Sequence, residues 1–160
     1  MAPVSSTTRA TSTTRRTGRQ AVDTPMPRRG RGYTTYAAQS RQYATRSTVN
    51  TMERIASRYN ARTGRNLEIG EISRRGGGNN PGHTSHKRGT DVDVRPQSRN
   101  GGPTTWRSAG YDRNATREMI RDIRRENPNA RILFNDPVLI REGLTRPYRG
   151  HDNHLHVSLR

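Results

Sequence analysis

The 160-residue sequence predicts an α+β domain over residues 50–160 that holds every histidine of the chain, preceded by a flexible basic arm over residues 1–49. Three observations lead there. Stretches of helical and strand period alternate after residue 50. The first 49 residues show neither period. All five histidines fall in two short segments, His83–His86 and His151–His156.

The arm is read from composition. The first 50 residues hold nine arginines, sixteen serines or threonines and one aspartate, interrupted by Pro25, Pro27, Gly30 and Gly32. So few apolar groups cannot offset the entropy of ordering a chain. There is no apolar core of the kind a secretory signal needs. The Arg- and Ser-rich make-up resembles a transit peptide, but no amphipathic helix is evident. Two readings of the arm stand level: contact with a polyanion such as nucleic acid or an anionic wall polymer, and a solvated spacer. Tyr33, Tyr36 and Tyr43 could stack on bases, a weak signal by themselves.

The chain as a whole has 30 Lys+Arg against 13 Asp+Glu, a formal charge of +17. Lys87 is the single lysine, so the charge is almost all guanidinium. Hydrophobic residues make up 27%, against the roughly 45–50% usual in globular domains. No apolar run approaches the ~18 residues of a membrane span. The absence of cysteine excludes disulfides, a thiolate metal site and a cysteine nucleophile.

After the arm, Asn50 followed by Glu53 fits a helix start, and Met52, Ile55 and Tyr59 recur at helical spacing. The helix is predicted over Thr51–Thr63, with Gly64 as its stop. Leu67, Ile69 and Glu71–Ser73 predict a short strand. Glycines and Pro81 mark 74–89 as a loop. Asp91-Val92-Asp93-Val94 alternates strictly and predicts a strand with both aspartates on one face. A loop follows over 95–105. A second helix is predicted over 114–126, ended by Asn127-Pro128. Arg131–Phe134 reads as a buried strand. Asp136-Pro137 caps a short helix over Pro137–Glu142. In the last stretch, Leu155, Val157 and Leu159 alternate with His154, His156 and Ser158, so both histidines share a strand face.

Imidazole and carboxylate are the usual non-thiol ligands of zinc, and a catalytic zinc keeps three protein ligands and an open position. His86, Asp93 and His156 would supply such a set. Asp93 projects from a strand, His86 ends the preceding loop, and Gly89 lets that loop turn tightly. The third ligand must come from a distant strand, which the C-terminal stretch offers. Each piece alone is weak: Asp91 and Asp93 are equally a solvated strand face, and His83 or His151 singly a surface residue. The joint use of every histidine in the chain points to a metal site. Asp91, one strand step from Asp93, is either solvated or positioned to orient a ligand imidazole.

Gly76–Gly78, Ser85-His86 through Gly89 to Asp91-Val92-Asp93, Phe134-Asn135-Asp136, and His151-Asp152-Asn153-His154-Leu155-His156 together resemble the penicillin-insensitive murein endopeptidases. These are similar to the lysostaphin-type, D-alanyl-D-alanine-cleaving and hedgehog-like zinc proteins. The resemblance covers about residues 50–160. It implies a small antiparallel sheet flanked by helices, with Zn2+ held by His86, Asp93 and His156. It implies His154 as the catalytic histidine, and His151 and His83 as further active-site histidines. The related D,D-carboxypeptidases carry a carboxylate where this chain has Asn153, so a carboxylate base is in doubt here. His154 would then accept the water proton or stabilise the oxyanion, and His151 would protonate the leaving amine or bind substrate. A rival assignment makes His154 and His156 both ligands.

The substrate implied is the peptide cross-bridge of bacterial peptidoglycan, especially D-alanyl–diaminopimelate links. Arg74-Arg75 and Lys87-Arg88 flank the expected site and suit substrate carboxylates. Two rivals remain. One is a zinc D,D-carboxypeptidase or amidase on the same polymer. The other is a non-catalytic basic nucleic-acid-binding or virion protein. A wall enzyme without an evident export signal is expected to reach the cell wall as a phage lysin, a phage component or a cargo of an injection device, with the basic arm touching that machinery.

Overall fold

The computed structural model describes residues 18–79 and 81–160. Four short strands come first: β1 (Thr24–Pro25), β2 (Arg29–Gly30), β3 (Tyr33–Thr35) and β4 (Tyr43–Ala44). Helix α1 (Arg46–Thr63) follows, then β5 (Leu67–Ile69) and β6 (Asp91–Val94). Helix α2 (Arg113–Glu126), β7 (Arg131–Leu133), the short helix α3 (Pro137–Arg141) and β8 (Leu155–Ser158) complete the order.

The expectation of a flexible arm reaching residue 49 is corrected. Met26, Tyr33, Ala44 and Val49 are buried in the same core as the helices. The residues are ordered by backbone hydrogen bonds to distant segments. The Met26 N–H donates to the Gln42 carbonyl (2.7 Å), Gly76 to Val22 (2.6 Å), Tyr43 to Ser73 (3.1 Å) and Leu67 to Gly32 (2.8 Å). Strands of two or three residues held this way need no local apolar period, so none is present to read. The remainder of the expected arm, residues 1–17, lies outside the described residues.

A six-stranded sheet runs in the order β2-β3-β5-β6-β8-β7, and β1 pairs with β4 in a second, two-stranded sheet. The large sheet is mixed rather than purely antiparallel: β3 lies parallel to β5, the two joined by a crossover that includes helix α1. The other pairings are antiparallel. Register along the centre is Asp91↔Ser158, Val92↔Val157, Asp93↔His156 and Val94↔Leu155. One face of this pair, Val92, Val94, Leu155 and Val157, is fully buried in the core with Ile55, Tyr59, Ile120 and Ile123 of the helices.

Helix α1 starts five residues before its expected first turn. Thr45, not Asn50, is the N-cap, and its hydroxyl accepts from the Thr48 N–H. Gly64 ends the helix in the left-handed conformation, as expected. Asp112 caps α2 by accepting from the Ala115 N–H, and the helix stops at Asn127. Asp136 caps α3 through the Val138 N–H (2.9 Å) and is itself fully buried, bonded to Tyr111 and Arg113.

Candidate metal centre

The second face of β6 and β8 builds the site. Side chains two apart on a strand share a face, so Asp91 and Asp93 point the same way, and register sets His156 opposite Asp93. The Asp93 Oδ1 stands 3.2 Å from His156 Nδ1. The third group arrives from the loop before β6. His86 Nε2 also lies 3.2 Å from Asp93 Oδ1.

That loop is tightly constrained. His86 adopts a positive φ of 61°, uncommon for a residue with a side chain. Its backbone N–H donates to Asp91 Oδ2 (3.2 Å), and its carbonyl accepts from the Ser73 hydroxyl (2.9 Å). Gly89 permits the return. A Cβ there would sit 2.8 Å from the Thr45 nitrogen and 2.7 Å from Val22, at a φ of +66°. The close approach of the 18–49 segment thus helps fix the loop that presents His86.

His86, Asp93 and His156 each bring one donor atom, and these lie within 4.8 Å of one another. The donor set fits a small divalent cation. Two donors bonded at about 2.0–2.1 Å to a tetrahedral ion stand roughly 3.3 Å apart, close to both 3.2 Å separations seen here. The far nitrogen of each imidazole is already committed. His86 Nδ1 contacts the Ile72 carbonyl at 2.8 Å. His156 Nε2 contacts Asp91 Oδ1 at 3.4 Å, and that oxygen also accepts from the Ser158 hydroxyl at 2.7 Å. Such outer contacts fix the tautomer and leave the inner nitrogen free to bind. Asp91 therefore faces the His156 imidazole and the His86 backbone, not bulk water alone.

The electrostatics agree. Burial pushes the His156 ring down, but Asp91 and Asp93 outweigh it and raise it to about 9. Burial likewise opposes Asp91, yet the contacts with His156 and Ser158 hold it down to about 2. Asp93 is held below the ordinary carboxylate range by His156 and His86 against its burial. Burial lowers His86 as well, and the Asp93 hydrogen bond and charge overturn that, for a net rise. Two carboxylates thus hold positive charge at this point, the role a bound cation takes over.

The remaining histidines edge the same cleft of about 420 Å³. The His151 and His154 rings are 4.5 Å apart, and His151 is 5.9 Å from His156. His154 Nδ1 contacts Asn153 Oδ1 at 2.7 Å, and His151 Nδ1 contacts the Arg149 carbonyl at 3.1 Å. Both rings then carry the proton on Nδ1 and a lone pair on Nε2. Burial pulls both below the ordinary histidine range, which keeps them neutral near pH 7. His83 lies 5.4 Å from His86 between ring centres, its Nε2 3.1 Å from Glu71.

The sequence reading missed several neighbours. Tyr148 packs edge-on to His151 at 5.1 Å, and Arg131 and Leu133 line the cleft from β7. The loop carrying the histidines is clamped by Asp152, whose carboxylate accepts from Asn135 Nδ2 (2.7 Å) and Trp106 Nε1 (3.2 Å). Ser158 was legible as the next same-face position after His156. Tyr148 and Trp106 carried no local signal, because loops of unfixed path bring them in.

A family model described as penicillin-insensitive murein endopeptidase matches residues 14–143. The chain belongs to that family. It is an enzyme of the metallopeptidase class. No curated protein matches the chain. The matched span begins inside the segment expected to be an arm, in keeping with the burial of Met26, Tyr33, Ala44 and Val49 in the core. It contains His83, His86, Asp91 and Asp93 and stops before His151. The second histidine segment is tied to the first by the β6–β8 register.

Proposed function

We propose that the protein is a zinc-dependent endopeptidase that hydrolyses peptide cross-links of bacterial peptidoglycan, with the cell wall as its place of action. The observation that carries this reading is the convergence of His86, Asp93 and His156, their donor atoms within 4.8 Å of one another, with each outer imidazole nitrogen already engaged. His86 Nε2, Asp93 Oδ1 and His156 Nδ1 would hold the ion. Bound zinc supplies Lewis acidity, polarising a carbonyl and lowering the pKa of water to roughly 7.

The chain's own groups do the rest. His154, neutral and with its lone pair on Nε2, accepts the proton of the attacking water. Asn153 cannot take that proton, and its amide oxygen instead fixes the ring. The proton that His154 takes is relayed to the Nε2 lone pair of His151, whose ring lies 4.5 Å away, and from there to the leaving amine. Asp91 holds His156 in the tautomer that presents Nδ1. His83 lines the cleft, its Nε2 held by Glu71, and is placed to meet substrate.

The test is mass spectrometry of purified peptidoglycan incubated with the protein, with chelator, and with zinc restored. Conversion of cross-linked dimers to monomers that stops with chelator and returns with zinc is the expected result. Loss of a single terminal alanine would favour the carboxypeptidase reading, and release of stem peptide from sugar the amidase. Intact polymer in all three arms would overturn the proposal.

A further inference from the structure

The arginines of this chain divide by whether an acid meets them. Several along the helices are paired. Arg54 and Arg58 reach Glu126, Arg62 reaches Glu118 and Asp122, and Arg117 grips both oxygens of Glu142 at 2.7 Å. Around β7 they are not. Arg131 lines the histidine cleft and also an adjoining groove of about 370 Å³, walled by Arg124, Arg146 and Arg160 with no acidic residue. Among the described residues, no ion pair engages Arg131 or Arg146, whereas Arg113, Arg121 and Arg125 each have one. What sets this group apart is not the missing acid, which Arg74, Arg75 and Arg149 share, but the gathering of four guanidinium side chains around one groove that shares Arg131 with the histidine cleft.

A second observation points to a ligand. Arg124 donates to the Leu144 carbonyl (2.9 Å), but its Nε is buried with no hydrogen-bond partner. A buried N–H left unmatched is costly unless something brings it an acceptor.

We propose that this groove is a subsite for a free carboxylate of the peptide substrate, lying next to the bond held over the metal group. The inference rests on the endopeptidase reading and adds to it the chemistry of the substrate's flank. A guanidinium fork matches a carboxylate with two parallel hydrogen bonds. The groove has the volume of a small-ligand pocket, sized for an acidic side chain rather than a nucleic-acid duplex. Its junction with the histidine cleft is Arg131 itself, so an acid seated there belongs to the same chain as the scissile bond. Within the cleft the one acid, Asp93, is already taken by two histidines and offers the substrate little repulsion.

The experiment compares two cross-linked peptides, one with free carboxylates and one with those groups amidated, on the zinc-loaded full chain and on R131Q and R146Q. Both side chains are unpaired and exposed, so the variants fold. For R131Q on the acidic peptide, KM is expected to rise about tenfold with kcat little changed, the loss of one charge-assisted contact. On the amidated peptide the rise in KM for R131Q should be much smaller, and R146Q, which lines the groove but not the histidine cleft, should raise KM on the acidic peptide alone. An equal change on both peptides, or none on either, overturns the subsite. In parallel, calorimetric titration of an acidic stem peptide lacking a cleavable cross-link, and of its amidated twin, reads binding without turnover. If neither cross-linked peptide is cleaved, the endopeptidase reading falls. The subsite then stands on an acid-over-amide preference that R131Q abolishes, and falls without one. Tighter Arg131-dependent binding of a polyphosphate than of the acidic peptide would also overturn it.

Discussion

The strands β6 and β8 present two faces made from alternate residues of the same eight. Val92, Val94, Leu155 and Val157 are fully buried in the core. Asp91, Asp93, His156 and Ser158 form a polar face on which every side chain contacts another. The difference shows how a chain only 27% hydrophobic can hold a metal-capable group rigidly. The apolar face fixes the register, and the register places Asp93 opposite His156 without any further device. Stability and chemistry are separated by one residue of alternation, so substitutions on the two faces should fail in different ways.

The largest effect is expected from the polar face. Asp93→Ala should abolish both zinc uptake, measured by atomic absorption on the dialysed protein, and hydrolysis of peptidoglycan. Circular dichroism should still report a folded chain. Loss of the fold together with the metal would mean that the two faces are not separable. Next comes His154→Ala, which removes the proposed proton acceptor and leaves the three donors untouched. Zinc should be retained at one equivalent while turnover falls by about 10²–10⁴. Loss of zinc in this variant would return the assignment to His154 and His156 as joint ligands.

The apolar face should break stability and spare metal affinity. Leu155→Ala, at a fully buried position, is expected to lower unfolding free energy by about 2–5 kcal/mol. Denaturant titration measures it, and zinc affinity of the folded fraction should match the parent. A smaller effect is predicted for Asp91→Asn. It weakens the contact that orients His156 and should loosen zinc by about 10–100-fold, read by competition with a chelating dye.

The smallest effect lies away from both faces. Asp136 is fully buried. Burial alone would raise its carboxyl, but Arg113, Tyr111 and the Val138 N–H hold it below the ordinary range. A carboxyl lower in the folded than in the unfolded chain contributes stability above its unfolded pKa of about 3.9. That contribution is lost as pH falls through the folded value. Asp136→Asn should therefore flatten the acid limb of the stability curve, with the metal face unaffected at neutral pH.

Much of this was legible because it is local. Strict alternation in Asp91–Val94 and Leu155–Ser158 requires two faces whatever the strands pair with. Gly64, Asp136-Pro137 and Asn127-Pro128 end or begin helices through backbone chemistry that each residue carries with it. The clustering of five histidines into two segments marked the site before any contact was known. The start of α1 was misplaced because Thr45 and Asn50 both suit a cap, and only the packing of Val49 on the core selects the earlier one.

What the sequence by itself determined, then, is the set of short-range choices: which residues share a face, where helices stop, and which side chains can bind a cation. Tertiary structure alone decided that residues 18–49 belong to the domain, that β3 lies parallel to β5, that Tyr148 and Arg131 reach the histidine cleft, and that Trp106 clamps Asp152. The physical reason is the same for each. Their positions are set by hydrogen bonds and packing between segments far apart in the chain, and such partners leave no period, cap or spacing in the residues themselves.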